Sequence, residues 1–344
     1  MLELDGSMGE GGGQILRTSL ALSLITQKSF RLTRIRAGRE KPGLQPQHLA
    51  SVRAAATIGN ANIRGDAVGS RELLFEPGPV VSGKYRFAIG TAGATGLVLH
   101  TVYLPLAWKT GQPSEITLEG GTHVKTSPCF HFLDTTWRAY LAQLGLHVKL
   151  KMTRPGFYPR GGGVVEAIIQ PVDLLPGGVN LNRDWPIKTA GGFAAVARLP
   201  DHIALRMIRR VVVRLAARGL DVHLDPQEWE GGPGAVLAVT LPGPKPTMFT
   251  AIGARGKPAE GVADELLDEV EAWFDGGAQV DPHSADQIVL PLALADEPSE
   301  YRVSAVTRHL TTNIKVIRHF LDREISVEGE EGSTGVVRVG VGGL

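Results

Sequence analysis

The chain has 344 residues, about twice the length of an ordinary domain, which predicts two or more domains or a repeated unit carrying an insertion. With 43% hydrophobic and 21% charged residues it is globular in composition, excluding a mainly disordered or coiled-coil chain. Its 36 basic and 35 acidic side chains nearly cancel, so a nucleic-acid partner needs a local patch, and the single cysteine, Cys129, excludes a disulfide framework or a multi-cysteine metal site.

A helix is predicted from Gly13, with Ile15, Leu16, Leu20 and Leu24 on one stripe. The next runs from Pro46 to Ile58, proline in its first turn and Gly59 as a left-handed stop. Strands follow at Glu72 to Phe75 and Tyr85 to Ile89, then an apolar helix from Leu97 to Trp108 and another starting at Ser127-Pro128. A glycine triplet after Glu10 returns as Gly161-Gly162-Gly163 before the strand Val164 to Ile169, so a repeated α+β unit is expected.

From Leu181 the texture changes: Asp201 is placed as the cap of an arginine- and valine-rich helix, a Pro/Gly-rich stretch runs from Pro233 to Pro246, and residues 257 to 275 carry seven acids against Lys257. An inserted domain at 181–276 is expected, within a main domain of 1–180 and 277–344, its arginine helix and acidic helix read as solvated faces. No apolar stretch approaches the roughly 20 residues that span a bilayer, and no secretory pattern opens the chain, so a soluble cytoplasmic protein without a membrane partner is expected.

Three places carry chemistry. Glu10-Gly11-Gly12-Gly13-Gln14, with Arg17 one turn on, is either a plain glycine turn or a phosphate cradle at a helix start, with Glu10 able to hold a divalent cation. Residues 28 to 53 hold seven basic side chains and one acid; Arg36 and Arg39, on a segment expected to be extended, and Gln47 at the next helix start are either a solvated loop or a phosphate clamp. His309, just ahead of an apolar helix expected near Thr312, is a structural histidine or a nucleophile.

Together these motifs resemble the RNA 3′-terminal phosphate cyclase family. Glu10-Gly-Gly-Gly-Gln-Ile-Leu-Arg17, Ile35-Arg36-Ala-Gly-Arg39, Gln47-His48-Leu49, Gly120-Gly121-Thr122, Gly156 to Val164, Ala285-Asp286-Gln287 and His309-Leu-Thr-Thr-Asn313 occur in register from Glu10 to Asn313. The resemblance implies ATP-dependent cyclisation of an RNA 3′-phosphate through a histidine–AMP intermediate on His309 and an RNA-adenylate. It implies Arg17, Arg36, Arg39 and Gln47 as phosphate clamps, Glu10 at a magnesium or manganese step, and Pro128, His283, Asp286 and Gln287 around the nucleotide. The implied fold is three βαβαββ-type units plus an inserted α/β domain, and a homodimer is an open possibility. Pro155, with Arg154 before it, and His283 depart from residues that relatives carry there. A branch of the family lacking the nucleophile serves ribosome assembly; His309 is the feature that separates the two readings. A transferase built on similar repeats, such as an enolpyruvyl transferase, would not need that histidine.

Overall fold

In the computed structural model, which describes residues 1–176, 186–243 and 245–340, the repeats expected from the glycine motifs appear as strand orders. The first unit runs β1 (Leu2–Asp5), α1 (Gly13–Thr26), β2 (Phe30–Thr33), α2 (Pro46–Ile58), β3 (Asn62–Arg64), β4 (Leu73–Glu76), and its sheet is ordered β1-β2-β4-β3. The second runs β5 (Lys84–Ala88), α3 (Thr95–Ala107), β6 (Ser114–Gly120), α4 (Phe130–Phe132), a π turn (Leu133–Trp137), α5 (Arg138–Gln143), β7 (Val148–Arg154), β8 (Gly163–Ile169); its order, β5-β6-β8-β7, is the same.

An inserted four-stranded sheet follows: β9 (Thr189–Ala197), α6 (His202–Ala216), β10 (Asp221–Trp229), β11 (Gly234–Leu241), β12 (Thr247–Ile252) and α7 (Ala259–Gly276), ordered β10-β9-β11-β12. The third unit keeps α8 (Pro282–Ala293), β13 (Ser299–Val303), α9 (Arg308–Phe320), β14 (Ile325–Glu328) and β15 (Gly335–Val339), ordered β13-β15-β14. Its first strand is reduced to one bridge between Val280 and Val303, parallel like the β1–β2 pairing.

Period-2 patterning explains how the inserted sheet attaches. Ala194, Val196, Leu237 and Val239 face α6 and α7 in a second core, while Phe193, Ala195, Ala197, Val236 and Ala238 face the main one. Strands buried on both faces read as near-continuous apolar runs, which is why β11 was hidden in the stretch from Pro233 to Pro246.

Several local expectations need correction. α1 is buried nearly all round, not along a stripe, because it packs against α2, α3 and α9 at once. Gly59 ends α2 at φ −106; Asn60 takes the left-handed conformation, and Gly59 is small because a Cβ would strike Leu24. The helix expected at Ser127-Pro128 begins at Phe130, since the Ser127 hydroxyl donates back to the Val124 carbonyl (3.1 Å) and leaves Pro128 in the loop. Asp201 occupies the cap position of α6 without a side-chain cap hydrogen bond. Leu181 lies outside the described residues.

The charged helices α6 and α7 are not merely solvated faces. Arg206, Arg210 and Arg214 on α6, and Arg218 just past its end at the same four-residue spacing, pair with Glu260, Asp264, Glu271 and Asp275 on α7, and Arg214 also reaches Asp264 and Asp268. These arginines are engaged by their neighbour helix. No described helix is long and apolar enough to cross a membrane.

Candidate active site

The N-termini of α1 and α9 meet. The Glu10 backbone N–H donates to Thr312 Oγ1 (2.9 Å), and the Thr18 hydroxyl donates to Asn313 Oδ1 (2.7 Å) in the buried seam. α9 starts at Arg308, capped by the Thr307 hydroxyl, which accepts from the Leu310 N–H (3.1 Å); His309 thus lies in the first helical turn, not ahead of it. α8 is capped by Asp281, whose carboxylate accepts from the His283 and Ser284 N–H groups, with Pro282 in the first turn. Capping fixes where Asp286 emerges, and Asn313 Nδ2 donates to the Asp286 carbonyl (2.7 Å).

A relay runs through Gln14, which motif reading leaves out of the site. Gln14 Nε2 donates to Asp286 Oδ2 (2.8 Å), so its Oε1 is the acceptor facing His309 Nδ1, also at 2.8 Å. An amide oxygen only accepts, so Nδ1 carries the imidazole proton and Nε2 keeps its lone pair. Nε2 lies 4.0 Å from Glu10 Oε1, and the ring is 53% exposed, open to a ligand. Burial, together with the Arg17 and Arg39 charges, holds His309 below its ordinary pKa against the pull of Asp286. The ring is neutral at pH 7. Burial pushes the Asp286 carboxyl up, opposed by the neighbouring His309, His283 and Arg17.

Glycines make room for this. A Cβ on Gly12 would overlap the Glu10 carboxylate, and one on Gly13 would overlap His48 and approach Arg17 Nη1 at 2.7 Å. Glu10 pairs with Arg39 through Oε1, while its Oε2 is buried without a hydrogen-bond partner. Arg17 is lowered to about 10 by burial and stays a cation.

A cavity of about 520 Å³ opens beside this seam, within the size range of nucleotide-scale ligand sites. Arg17, Gln14, Asp286, Gln287, His283, Pro128 and His309 line it; strand β12, Phe132 of α4 and Trp137 of the π turn complete the wall. Gln287 Oε1, His100 Nε2 and Trp137 Nε1 are buried there without partners. Opposite charge raises His283 to about 9, the Glu269 carboxylate (3.4 Å) being the main cause, so this cavity-lining ring is an imidazolium at neutral pH.

The other expected clamps sit further back. The segment Arg36 to Arg39 is a tight turn, with Arg34 and Arg36 at positive φ, not an extended run. Arg36 Nη1 donates to the Gly43 carbonyl (3.0 Å), and its charge, like that of Arg17, is felt by His48. Gln47 Oε1 accepts from the Ala94 N–H (3.3 Å), tying α2 to the second unit. Neither lines the cavity. His48, buried and lowered to about 3 by burial and the two arginines, accepts from the Gln45 N–H through Nδ1. Of the basic run, Arg31, Arg34, Arg39 and Arg53 pair with acids outside it.

Guanidinium groups, two helix starts and a neutral imidazole around a nucleotide-sized cavity define an enzyme site suited to phosphate chemistry. The profile of a family described as RNA 3′-terminal phosphate cyclase matches residues 8–327. Proteins of that name from Ralstonia nicotianae (43% identical, covering 99% of this chain and 97% of the relative), Salmonella typhimurium (40%, 96% of each) and Nostoc punctiforme (43%, 93% and 94%) are similar along nearly their whole length. The chain belongs to the RNA 3′-terminal phosphate cyclase family.

Proposed function

We propose that the chain cyclises RNA 3′-phosphate ends with ATP through a covalent histidine–AMP. His309 Nε2 attacks the α-phosphorus, the bond to the bridging oxygen breaks and pyrophosphate leaves. Nδ1 keeps its proton on Gln14, so the charge that develops on the ring is met by Gln14 and Asp286. An oxygen of the RNA 3′-phosphate then takes the AMP from Nε2, restoring the imidazole. The terminal 2′-hydroxyl attacks the activated phosphorus and gives up its proton to water, the bond to the AMP oxygen breaks, and the 2′,3′-cyclic diester and AMP result. The observation that carries this reading is the Asp286–Gln14–His309 relay, which leaves a nucleophilic nitrogen at the mouth of a cavity lined by Arg17.

His283 and Pro128 on the cavity wall are assigned to the adenine, and Gln287 Oε1 offers a buried acceptor for an N–H donor. Arg17 and Arg39 are assigned to phosphates, with Arg36 and Gln47 bracing His48 and the adjoining loop. No described group of three or more His, Cys, Asp or Glu side chains can hold a metal alone. The unpartnered Glu10 Oε2 nevertheless fits a magnesium or manganese ion that takes its other ligands from phosphate oxygens and water. Such an ion supplies charge neutralisation of the phosphates. We assign residues 181–276 to an inserted domain, on the support of its separate core, and the protein to the cytoplasm, in keeping with a free, buried Cys129.

The test is incubation with ATP labelled at the α-phosphate and magnesium or manganese. Acid-labile, alkali-stable label is expected on the protein and lost in His309→Ala; a labelled alanine variant would remove His309 as the nucleophile.

A further inference from the structure

Among the described residues, one aromatic ring stands out in water: Tyr158, 77% exposed. It is held there by its own turn. Phe157 beside it is buried against His123 and Trp229, the Gly161 N–H donates to the Phe157 carbonyl (2.7 Å), and Arg154 Nε donates across the turn to the Gly162 carbonyl (2.5 Å). A bulge between Met152 and Arg154 in β7 shifts the pairing register just ahead of this contact. Arg154 and Arg160 flank Tyr158 in sequence, are exposed, and form no ion pair among the described residues, in contrast to Arg206, Arg210 and Arg214 of α6. A pinned turn that exposes a phenol ring and carries two unneutralised guanidinium groups has no account in the packing of the fold.

The turn adjoins the site on two sides. Gly161 lies against the Thr91 carbonyl and Ala92, in the loop whose Ala94 N–H donates to Gln47 (3.3 Å). The His123 N–H donates to the Gly156 carbonyl (3.1 Å), and the same segment continues to Lys125 and Pro128 on the cavity wall. The turn that carries Tyr158 is thus tied at one end to the loop ahead of α3 and at the other to the segment that walls the cavity.

We infer that Tyr158, Arg154 and Arg160 form a stacking platform for the single-stranded RNA that leads into the 3′-phosphate site. A base lies on the phenol ring and the guanidinium groups meet adjoining phosphodiesters. Single-strand binders pair aromatic faces with cations in this way, and the contact tolerates any base because every base has a π face. The inference rests on the RNA reading above but concerns a surface that the adenylylation step does not use.

The experiment measures fluorescence anisotropy of a 3′-phosphorylated RNA of about ten nucleotides, a length within the span such sites cover, with a nucleoside 3′-phosphate as competitor. Tyr158→Ala is expected to weaken oligonucleotide binding by about tenfold, Tyr158→Trp to restore it, and the competitor's affinity to stay the same in both. Replacing Arg154 and Arg160 together by alanine is expected to reduce the slope of log affinity against log salt by about 1 to 2. Parental oligonucleotide affinity in Tyr158→Ala would overturn the platform and leave the surface to a protein partner; an equal loss for the nucleoside 3′-phosphate would overturn it too. Protein–AMP formation by the parent, scored separately, reports on the histidine mechanism: its absence sinks that mechanism while the binding comparison still decides the platform.

Discussion

Gln14→Met keeps the length of the side chain and removes both hydrogen bonds of the relay. Gln14 is 8% exposed, so water does not replace them freely. Its bond to His309 Nδ1 (2.8 Å) is between neutral groups before reaction and is worth about 1 kcal/mol. Once Nε2 bonds to phosphorus the ring gains positive charge and the same bond becomes charge-assisted, worth about 1.5 to 3 kcal/mol. Only the difference accelerates the step, roughly 0.5 to 2 kcal/mol. Loss of the fixed tautomer adds to it, so protein–AMP formation at saturating ATP is expected to slow by about 5- to 50-fold.

Single-turnover labelling with α-phosphate-labelled ATP gives the rate, and nitrogen chemical shifts of His309 give the tautomer. The parent should carry the ring proton on Nδ1 and the variant should populate both forms. A variant rate within about twofold of the parent, less than the bond difference alone would produce, or a parent ring protonated on Nε2, would refute the relay. Stability should also fall by about 1 to 3 kcal/mol, because Asp286 Oδ2 loses the Gln14 donor.

The His283 imidazolium should titrate near pH 9 by NMR, and Glu269→Gln should bring that titration down toward 6.5. Its folded pKa is raised, so the stabilisation it contributes is complete below 6.5 and is lost as pH rises through about 9; a parent His283 titrating near 6.5 would contradict the pairing. Arg214→Ala removes the cation shared by Asp264, Asp268 and Glu271 and should cost about 1 to 2 kcal/mol in urea unfolding, less at about 1 M salt. A loss unchanged by salt would mean that Arg214 acts through packing of its stem.

The sequence was informative wherever a signal was local. Proline in the first turn delimited α2 at Pro46–Ile58, and the glycine triplets announced the repeats because Gly12 and Gly13 permit contacts that a Cβ would block. Signals divided between distant segments were harder to read. Gln14 looks like a minor residue of an apolar helix, yet a buried amide at the second position of such a helix needs partners, and those partners lie 272 and 295 residues away. The α6–α7 ladder was available as two spacings, arginines at 206, 210, 214 and 218 and acids at 260, 264 and 268, but each helix alone reads as solvated. The turn at Arg36 is not legible in the sequence because positive φ at arginine has no composition signature.

The repeat architecture explains why the site lies on a seam. The first unit contributes Glu10, Gln14, Arg17 and Arg39, which gather cations but lack the seam's imidazole with a free lone pair. The third contributes His309 and Asp286, whose relay is incomplete without Gln14. The second, with β12 of the inserted sheet, walls the cavity. Docking α1 against α9 brings two positive helix ends to one point beside Arg17 and Arg39; burial and these guanidinium charges hold His309 below its ordinary pKa, and the same cations draw in phosphate anions. Weakening the seam should therefore impair both properties together, since one electrostatic source serves nucleophile and substrate alike.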